Sequence, residues 1–258
     1  MVDLEICCGD MSSVSAALEG GASRIELCSG LAEGGLTPSA ALIRAAVGSG
    51  IGRVNVLIRP RSGDFLYSED ELRIMEYDIR VAVASGATGI VIGALTPDGE
   101  VDMAACGRLI AAARENAARY VEVTFHRAFD LARDPLKSLE DVVALGCDCL
   151  LTSGMAASAE RGVAELKRIV DHAAGRITVM AGSGVSPANA AAIIDATGVG
   201  AIHSTARSPH PSAMRFRREE VPMGVPGADE YAPLATSPDI VAALLEIAKS
   251  QPINPRLN

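Results

Sequence analysis

The sequence predicts a single α/β domain with the (β/α)8 TIM-barrel architecture, and three observations favour this fold. The chain has 258 residues, close to the roughly 250 residues that one such barrel requires. Eight short β-branched segments alternate with eight alanine-rich segments of helical spacing. Hydrophobic residues make up 49% of the chain and aromatic residues only 3%, which suits parallel strands packed beneath helices. We therefore expect one domain over residues 1–258.

The elements follow one another in a regular order. We predict strands at about 3–7, 24–28, 53–59, 88–92, 120–126, 147–152, 176–181 and 199–203. We predict helices at about 11–20, 38–49, 69–85, 102–117, 135–145, 158–173, 187–196 and 238–249. Thr37-Pro38 and Ser186-Pro187 indicate helix starts, because a hydroxyl residue before a proline is typical of the first turn. An irregular segment at about 205–237, rich in Pro, Arg and Gly, follows the last strand and is expected to form a lid or an interface loop.

Polar side chains are predicted to face the barrel axis. Side chains alternate along a strand, and the apolar set should face the helices. The inward set then comprises Glu5, Cys7, Glu26, Cys28, Asn55, Leu57, Arg59, Glu122, Thr124, His126, Thr152 and His203, whereas Cys8, Cys147 and Cys149 face the helices. Isolated buried charges cost several kcal/mol, so this cluster indicates a functional site. A buried ion-pair network without any ligand is the structural alternative.

Several motifs at the strand ends resemble the CutC copper-homeostasis family. They are Leu4-Glu5-Ile6-Cys7, Arg24-Ile25-Glu26-Leu27-Cys28, Glu33-Gly34-Gly35-Leu36-Thr37-Pro38, Ile58-Arg59-Pro60-Arg61-Ser62-Gly63-Asp64-Phe65, Thr124-Phe125-His126-Arg127-Ala128-Phe129-Asp130 and Leu151-Thr152-Ser153-Gly154. The resemblance runs from residue 3 to about residue 250. It implies a β/α barrel, a cytoplasmic location and a role in handling Cu(I), but it supplies no reaction.

The resemblance implies that the family's candidate copper-binding cysteines correspond to Cys7 and Cys28. The predicted strands place these two inward thiols on neighbouring strands, about 4.8 Å apart. Cu(I) prefers soft thiolate and thioether ligands, so a close pair of thiols suits it. Free cysteines also serve as small apolar core residues, and that alternative stays open. Cys106 lies on a helix and is expected to be core.

The barrel mouth also predicts enzymatic chemistry on a small anion. The residues Gly182, Ser183 and Gly184 after the seventh strand, with Ser204 after the eighth, lie where TIM barrels often bind phosphate through backbone N–H groups. Arg59, Arg61 and Arg127 would add positive charge there. The candidate acid, base and clamping residues are Glu5, Glu26, Arg59, Glu122, His126 and His203. Isomerisation, epimerisation or aldol-type cleavage of a phosphorylated or acidic metabolite would fit, and a hard or borderline divalent cation could occupy the same carboxylates and imidazoles.

Composition limits the partners. The formal net charge of -9 argues against nucleic acid or an anionic membrane surface as partner. The N-terminal residues lack a secretory signal pattern, and no segment has the length of a membrane span, so a cytoplasmic protein with six reduced cysteines is expected. The alanine-rich helical exterior is compatible with a homodimer or higher homo-oligomer. Three hypotheses remain: a copper-binding protein, a barrel enzyme and, least favoured, a scaffold without a ligand.

Overall fold

The protein is a closed eight-stranded parallel barrel surrounded by eight helices. The computed structural model describes residues 1–115, 117–218, 220–221 and 229–251. The barrel strands, in spatial and chain order, are β1 (Asp3–Cys8), β2 (Arg24–Leu27), β3 (Arg53–Leu57), β4 (Gly89–Ile92), β5 (Glu122–Phe125), β6 (Cys149–Thr152), β7 (Thr178–Ala181) and β8 (Ala201–Ser204). The predicted TIM barrel is confirmed, and β8 closes it by pairing with β1.

A helix follows each barrel strand. The helices are α1 (Met11–Glu19), α2 (Ala40–Val47), α3 (Glu69–Ala84), α4 (Met103–Arg114), α5 (Pro135–Ala144), α6 (Val163–Ala173), α7 (Ala190–Thr197) and α8 (Pro238–Ser250). Local sequence explains several starts: Ser68 and Glu71 form a reciprocal capping box on α3, and a proline opens both α5 and α8. No helix in the described ranges is long and apolar enough to cross a membrane.

Three of the predicted helix starts are two to five residues too early, and the largest difference is at α6, which begins at Val163 rather than at about 158. α2 begins at Ala40 because Ser39 caps it, accepting a hydrogen bond from the Leu42 backbone, and Pro38 lies outside the helix. α7 begins at Ala190, because residues 186–189 form a separate turn in which Asn189 Oδ1 accepts from the Ser186 backbone N–H. The N-terminus of α7 is therefore farther along the chain from Gly182 and Gly184 than the sequence indicated.

Register brings polar residues of distant strands together. Cys7 pairs in register with Glu26, and Glu26 with Asn55. Glu5 pairs in register with His203, so the first and last barrel strands contribute to one region. The C-terminal ends of the parallel strands all open on the same face, which is where barrel proteins carry their sites.

Apolar packing separates the outside of the barrel from its interior. Leu4, Ile6, Ile25 and their equivalents join one large core between the strands and the helices. Two smaller buried clusters lie inside the barrel: Cys7, Cys28, Leu57 and Val91 form the first, and Cys149, Leu151, Met180 and Ala201 form the second. Interior residues are thus apolar in places, as in other packed barrels.

The sixth strand runs in the opposite alternation to the prediction. Cys149 and Leu151 belong to the interior cluster, and Leu150 packs in the outer core. Thr152 points away from the axis, where its hydroxyl donates to Asp130 Oδ1 at 2.5 Å. Since both faces of this strand are apolar, alternation alone could not decide which set faced inward.

The segment after β8 is not wholly irregular. Strands β9 (Arg207–Pro209) and β10 (Leu234–Thr236) form a two-stranded antiparallel sheet at the ends of the predicted 205–237 loop. Within the segment, residues 219 and 222–228 lie outside the described residues. β9 follows directly from the barrel mouth, and its first residue, Arg207, borders the cavity there.

Candidate functional site

A cavity of about 590 Å³ opens at the C-terminal face of the barrel. Of the residues predicted from sequence, it is bordered by Cys7, Glu26, Arg59, His126, Ser183, Gly184, His203 and Ser204. Cys28, Glu5, Glu122 and Gly182 are not among the residues that border it. The structure therefore brings most of the candidate residues together around the cavity, and four of them lie outside its wall.

The two candidate copper ligands form a buried thiol pair. Cys7 Sγ lies 3.6 Å from Cys28 Sγ, and Cys28 Sγ also lies 3.6 Å from the Cys8 carbonyl oxygen. Cys7 borders the cavity, whereas Cys28 is fully buried behind it. The contact with Cys28, burial and the nearby Glu26 raise the pKa of the Cys7 thiol, so its proton stays in place until a ligand displaces it.

Glu26 and His203 lie beside the thiol of Cys7. Glu26 Oε2 is 3.1 Å from His203 Nε2, and its Oε1 is 3.9 Å from Cys7 Sγ. Burial alone would lower the pKa of His203, but the carboxylates of Glu26 and Glu5 outweigh burial and raise it. One sulfur, one carboxylate oxygen and one imidazole nitrogen of these three residues all lie within 4.8 Å of one another.

Glu5 takes part in an ion-pair network beneath the cavity. Its Oε2 accepts from Arg24 Nε at 2.6 Å and from Asn55 Nδ2 at 2.9 Å. Burial on its own would raise the pKa of Glu5, but Arg24 and His203 together with these hydrogen bonds lower it. Oε1 of Glu5 has no hydrogen-bond partner among the described residues and lies 4.0 Å from His203 Nε2.

Glu122 belongs to the opposite end of the barrel. It is the first residue of β5, and its Oε1 lies 3.3 Å from Arg24 Nη1. Burial raises the pKa of Glu122 despite the attraction of Arg24. The network thus resembles the buried ion-pair alternative that the sequence left open.

Arg24 is the main interior residue that the sequence analysis missed. It is only 2% exposed and bridges Glu5 to Glu122. The signal was present, because Arg24 has the same alternation as Glu26 and Cys28 on one strand. A charged first residue of a strand is usually solvated, so the sequence did not predict that Arg24 is buried.

Arg59 is buried without a carboxylate partner among the described residues. Its guanidinium donates to the backbone oxygens of Glu33, Gly35 and Gly63 at 2.8–3.0 Å. It also lies over the ring of Phe65, 5.0 Å from the centroid. Arg59 therefore fixes the loops that follow β2 and β3, besides adding positive charge to the cavity wall.

His126 adjoins the same aromatic ring. Its centroid is 4.9 Å from that of Phe65, and its Nδ1 accepts a hydrogen bond from the Ala128 backbone N–H. Nε2 then carries the ring proton, and it has no partner among the described residues. Burial, helped by the charge of Arg59, lowers the pKa of His126 to about 3, so the ring is neutral near pH 7.

The predicted anion-binding loops retain only part of their expected geometry. Ser183 has a left-handed φ of +74°, and its hydroxyl donates to the Ala157 carbonyl at 3.1 Å. The Ser204 hydroxyl donates to the Val185 carbonyl at 2.7 Å. Both hydroxyls are thus occupied by the fold, and a ligand would meet backbone groups of the loop rather than these side chains.

Arg127 and Asp130 form a second polar group at the cavity rim. Arg127 Nε donates to Asp130 Oδ2 at 2.8 Å, and Arg127 Nη2 donates to the Ser153 hydroxyl. Both residues border the cavity. By contrast Arg61, also predicted at the rim, is bound by Glu71 and Asp64 and is absent from the cavity wall.

This arrangement defines an α/β barrel with a sulfur-containing candidate metal site at the C-terminal face. The CutC family matches residues 2–208, and the chain belongs to that family. A CutC family protein of Chromobacterium violaceum is 50% identical over 94% of this chain and 96% of its own length. A human protein described as a copper homeostasis protein cutC homolog is 44% identical over 96% of this chain and 89% of its own length.

A solved structure agrees with the fold. The crystal structure of a CutC protein from Streptococcus agalactiae superposes with a TM-score of 0.74 at 35% identity. It covers 80% of this chain and 99% of that protein. The resemblance predicted from the strand-end motifs is thereby confirmed, and so is membership of a copper-homeostasis family.

Proposed function

We propose that this protein handles Cu(I) as cargo and binds it between Cys7 and Cys28. The observation that carries the proposal is the 3.6 Å separation of the two sulfur atoms, one from β1 and the other from the residue that follows β2. Two thiolates at such a distance are the ligands that Cu(I) prefers. The family's association with copper homeostasis supports the same assignment.

The surroundings of the thiols suit exchange of the ion. Cys7 borders the cavity and Cys28 lies behind it, so an ion reaches Cys7 first and Cys28 second. Each copper–sulfur bond replaces an S–H bond and releases one proton, because the thiolate is the ligand. The contact with Cys28, burial and the neighbouring carboxylate raise the pKa of the Cys7 thiol, which keeps Cys7 protonated until an ion arrives.

Cu(I) binding by cysteine variants tests the proposal. Anaerobic titration against a chromophoric Cu(I) chelator should show one ion bound by the wild-type protein. Cys7→Ser and Cys28→Ser should each lose that binding, because a hydroxyl is a poor ligand for a soft ion. Cys106→Ser is the matched control, since it alters a buried thiol on α4 outside the site. Unchanged stoichiometry in both site variants would overturn the proposal.

Other parts of the prediction receive less support. In the enzyme alternative two of the candidate acids, Glu5 and Glu122, do not border the cavity. Only Glu26, Arg59, His126 and His203 remain there as acid, base or clamping groups. A small anionic ligand, a homo-oligomer and a cytoplasmic location stay proposals, and the six free cysteines fit a reducing compartment.

A further inference from the structure

A second set of metal-ligating atoms shares Cys7 with the thiol pair. Cys7 Sγ, a carboxylate oxygen of Glu26 and Nε2 of His203 lie within 4.8 Å of one another. All three residues border the cavity. Their sulfur, oxygen and nitrogen donors are a mixed set that suits borderline divalent ions better than Cu(I).

The charges around these atoms are unbalanced. Glu26 is 5% exposed, and its one basic ion-pair partner among the described residues is His203. The unpartnered Oε1 of Glu5 faces the same imidazole nitrogen at 4.0 Å. Burying a carboxylate beside neutral thiols is costly unless a cation compensates it. Arg24 compensates Glu5 from below with a permanent charge, whereas the basic partner of Glu26 among the described residues is an imidazole, which can release its proton.

The separations of the donor atoms can be compared with those of a tetrahedral site. With metal–ligand bonds of about 2.0–2.3 Å, the ligand atoms of a tetrahedral ion are separated by about 3.3–3.6 Å. The observed separations are 3.1 Å between Glu26 Oε2 and His203 Nε2, and 3.9 Å between Glu26 Oε1 and Cys7 Sγ. These two distances end on different oxygens of Glu26, and one sulfur, one oxygen and one nitrogen lie within 4.8 Å of one another as a set. The side chains would therefore close by up to about 1.3 Å to complete three corners of the tetrahedron.

We infer that Cys7, Glu26 and His203 form a binding site for a borderline divalent ion such as Zn²⁺, with the fourth coordination position open to the cavity. Binding breaks the S–H bond of Cys7 and the Nε2–H bond that His203 directs at Glu26, and forms metal–sulfur and metal–nitrogen bonds. The two displaced protons leave to solvent, or the imidazole proton moves to Nδ1 if the ring is neutral, and no electron is transferred. The inference extends the copper site without depending on it, because Cys28 takes no part. Since Cys7 belongs to both ligand sets, Cu(I) and the divalent ion compete for the protein.

Three protein ligands and an open coordination position distinguish this proposed site from a structural metal site. Structural zinc sites use four protein ligands, whereas sites that present the ion to another molecule keep one position for water or substrate. Here the open position faces a cavity of about 590 Å³ whose wall also carries Arg59 and His126. A small oxygen-bearing ligand could contact the ion at one end and these groups at the other.

Titration of the metal-free protein with Co²⁺ alone, under anaerobic conditions, tests the inference. Co²⁺ reports tetrahedral ligation in its visible bands and a thiolate ligand in its near-ultraviolet charge-transfer band. The wild-type protein should bind one ion with both signals, and Zn²⁺ should displace it. His203→Gln should lose one-to-one Co²⁺ binding yet keep Cu(I) binding, and Cys28→Ser should do the reverse. Loss of Co²⁺ binding in Cys28→Ser, with retention in His203→Gln, would overturn the inference.

A measurement on the wild-type protein avoids any effect of substitution on folding. X-ray absorption at the cobalt edge should show one sulfur together with nitrogen or oxygen neighbours. Two sulfur neighbours, or none, would contradict the three-residue site. Failure of Cu(I) to bind, with Co²⁺ binding intact, would instead contradict the copper proposal alone, so the two failures are distinguishable.

Discussion

His126 shows how burial sets the charge of a single residue. Its ring is 5% exposed, packed beside Phe65 and close to the cationic Arg59. The backbone N–H of Ala128 requires an unprotonated Nδ1, because it donates a hydrogen bond there. Burial, the neighbouring charge and the hydrogen bond therefore all favour the neutral ring over the imidazolium.

Stability should fall in mild acid because of this histidine. The folded-state pKa of His126 is about 3, below the unfolded value of about 6.5. Between these values the unfolded state binds more protons, so each pH unit of acidification costs up to about 1.4 kcal/mol. Urea unfolding at pH 7 and pH 5 should show that His126→Gln loses about 2 kcal/mol less than the wild-type protein.

His210→Gln serves as the control for this experiment, because it removes an exposed histidine from the segment after β9. Its stability should depend on pH as that of the wild-type protein does. Equal pH dependence in His126→Gln and wild type would show that the buried ring is not the group responsible.

At the scale of elements, Asp130 joins β6 to the 3-10 helix at Arg127–Leu131. Its carboxylate accepts from the Thr152 hydroxyl, the Ser153 backbone and hydroxyl, and the Met155 backbone, and it pairs with Arg127. The side chain is only 5% exposed. The Asp130 carboxylate thus joins the connection after β5 to the connection after β6, and it accepts hydrogen bonds from polar groups of both.

Asp130→Asn should destabilise the protein by about 3 kcal/mol, because the amide cannot accept at both ends and loses the charge-assisted bonds. Urea denaturation of the purified variant measures the change. Asp64→Asn is the matched control: that carboxylate is 72% exposed, although it also pairs with an arginine, and its loss should cost less than about 1 kcal/mol. Equal effects would show that Asp130 is not a structural centre.

The sequence allowed the strands to be predicted better than their connections. Alternation of polar and apolar residues predicted the inward direction of Glu5, Glu26 and His203 correctly. Glu5 and Glu26 lie between outward apolar neighbours, and His203 follows the outward Ile202. Alternation failed at β6, where both alternate sets are apolar. It also could not reveal that α7 begins after Asn189 rather than after Ser186, since both residue types are typical of helix starts.

The residue types that face the barrel interior could be predicted from the sequence, but the height of each residue along the barrel axis could not. Side-chain direction follows from alternation, whereas height along the barrel depends on register between strands that are far apart in sequence. Glu122 faces inward as expected, yet it begins its strand and lies far from the mouth. The 3.1 Å contact of Glu26 with His203 joins residues 177 positions apart, which no local pattern indicates.

At the scale of the whole molecule, Cu(I) binding should stabilise the fold. A ligand that binds only the folded state at 100 times its dissociation constant adds about 2.7 kcal/mol. For a chain of this size that corresponds to a rise in Tm of roughly 5–10 °C. Thermal unfolding followed by circular dichroism, with chelator-buffered Cu(I), measures the shift. The double variant Cys7→Ser/Cys28→Ser should show none, and a full shift there would place the ion elsewhere.

Because β8 closes the barrel against β1, the Cys7–Cys28 pair and the Cys7, Glu26 and His203 set assemble at different times during synthesis. Cys7 and Cys28 are only 21 positions apart, so they leave the ribosome at nearly the same time. β1, which carries Cys7, pairs with β2, which Cys28 follows. His203 arrives some 175 residues later and reaches Cys7 and Glu26 only when the last strand docks. A nascent chain can therefore offer thiols to a soft ion before it can offer the mixed set to a divalent one. The proposed divalent-ion site therefore requires the completed barrel, whereas the proposed copper site requires only the first two strands.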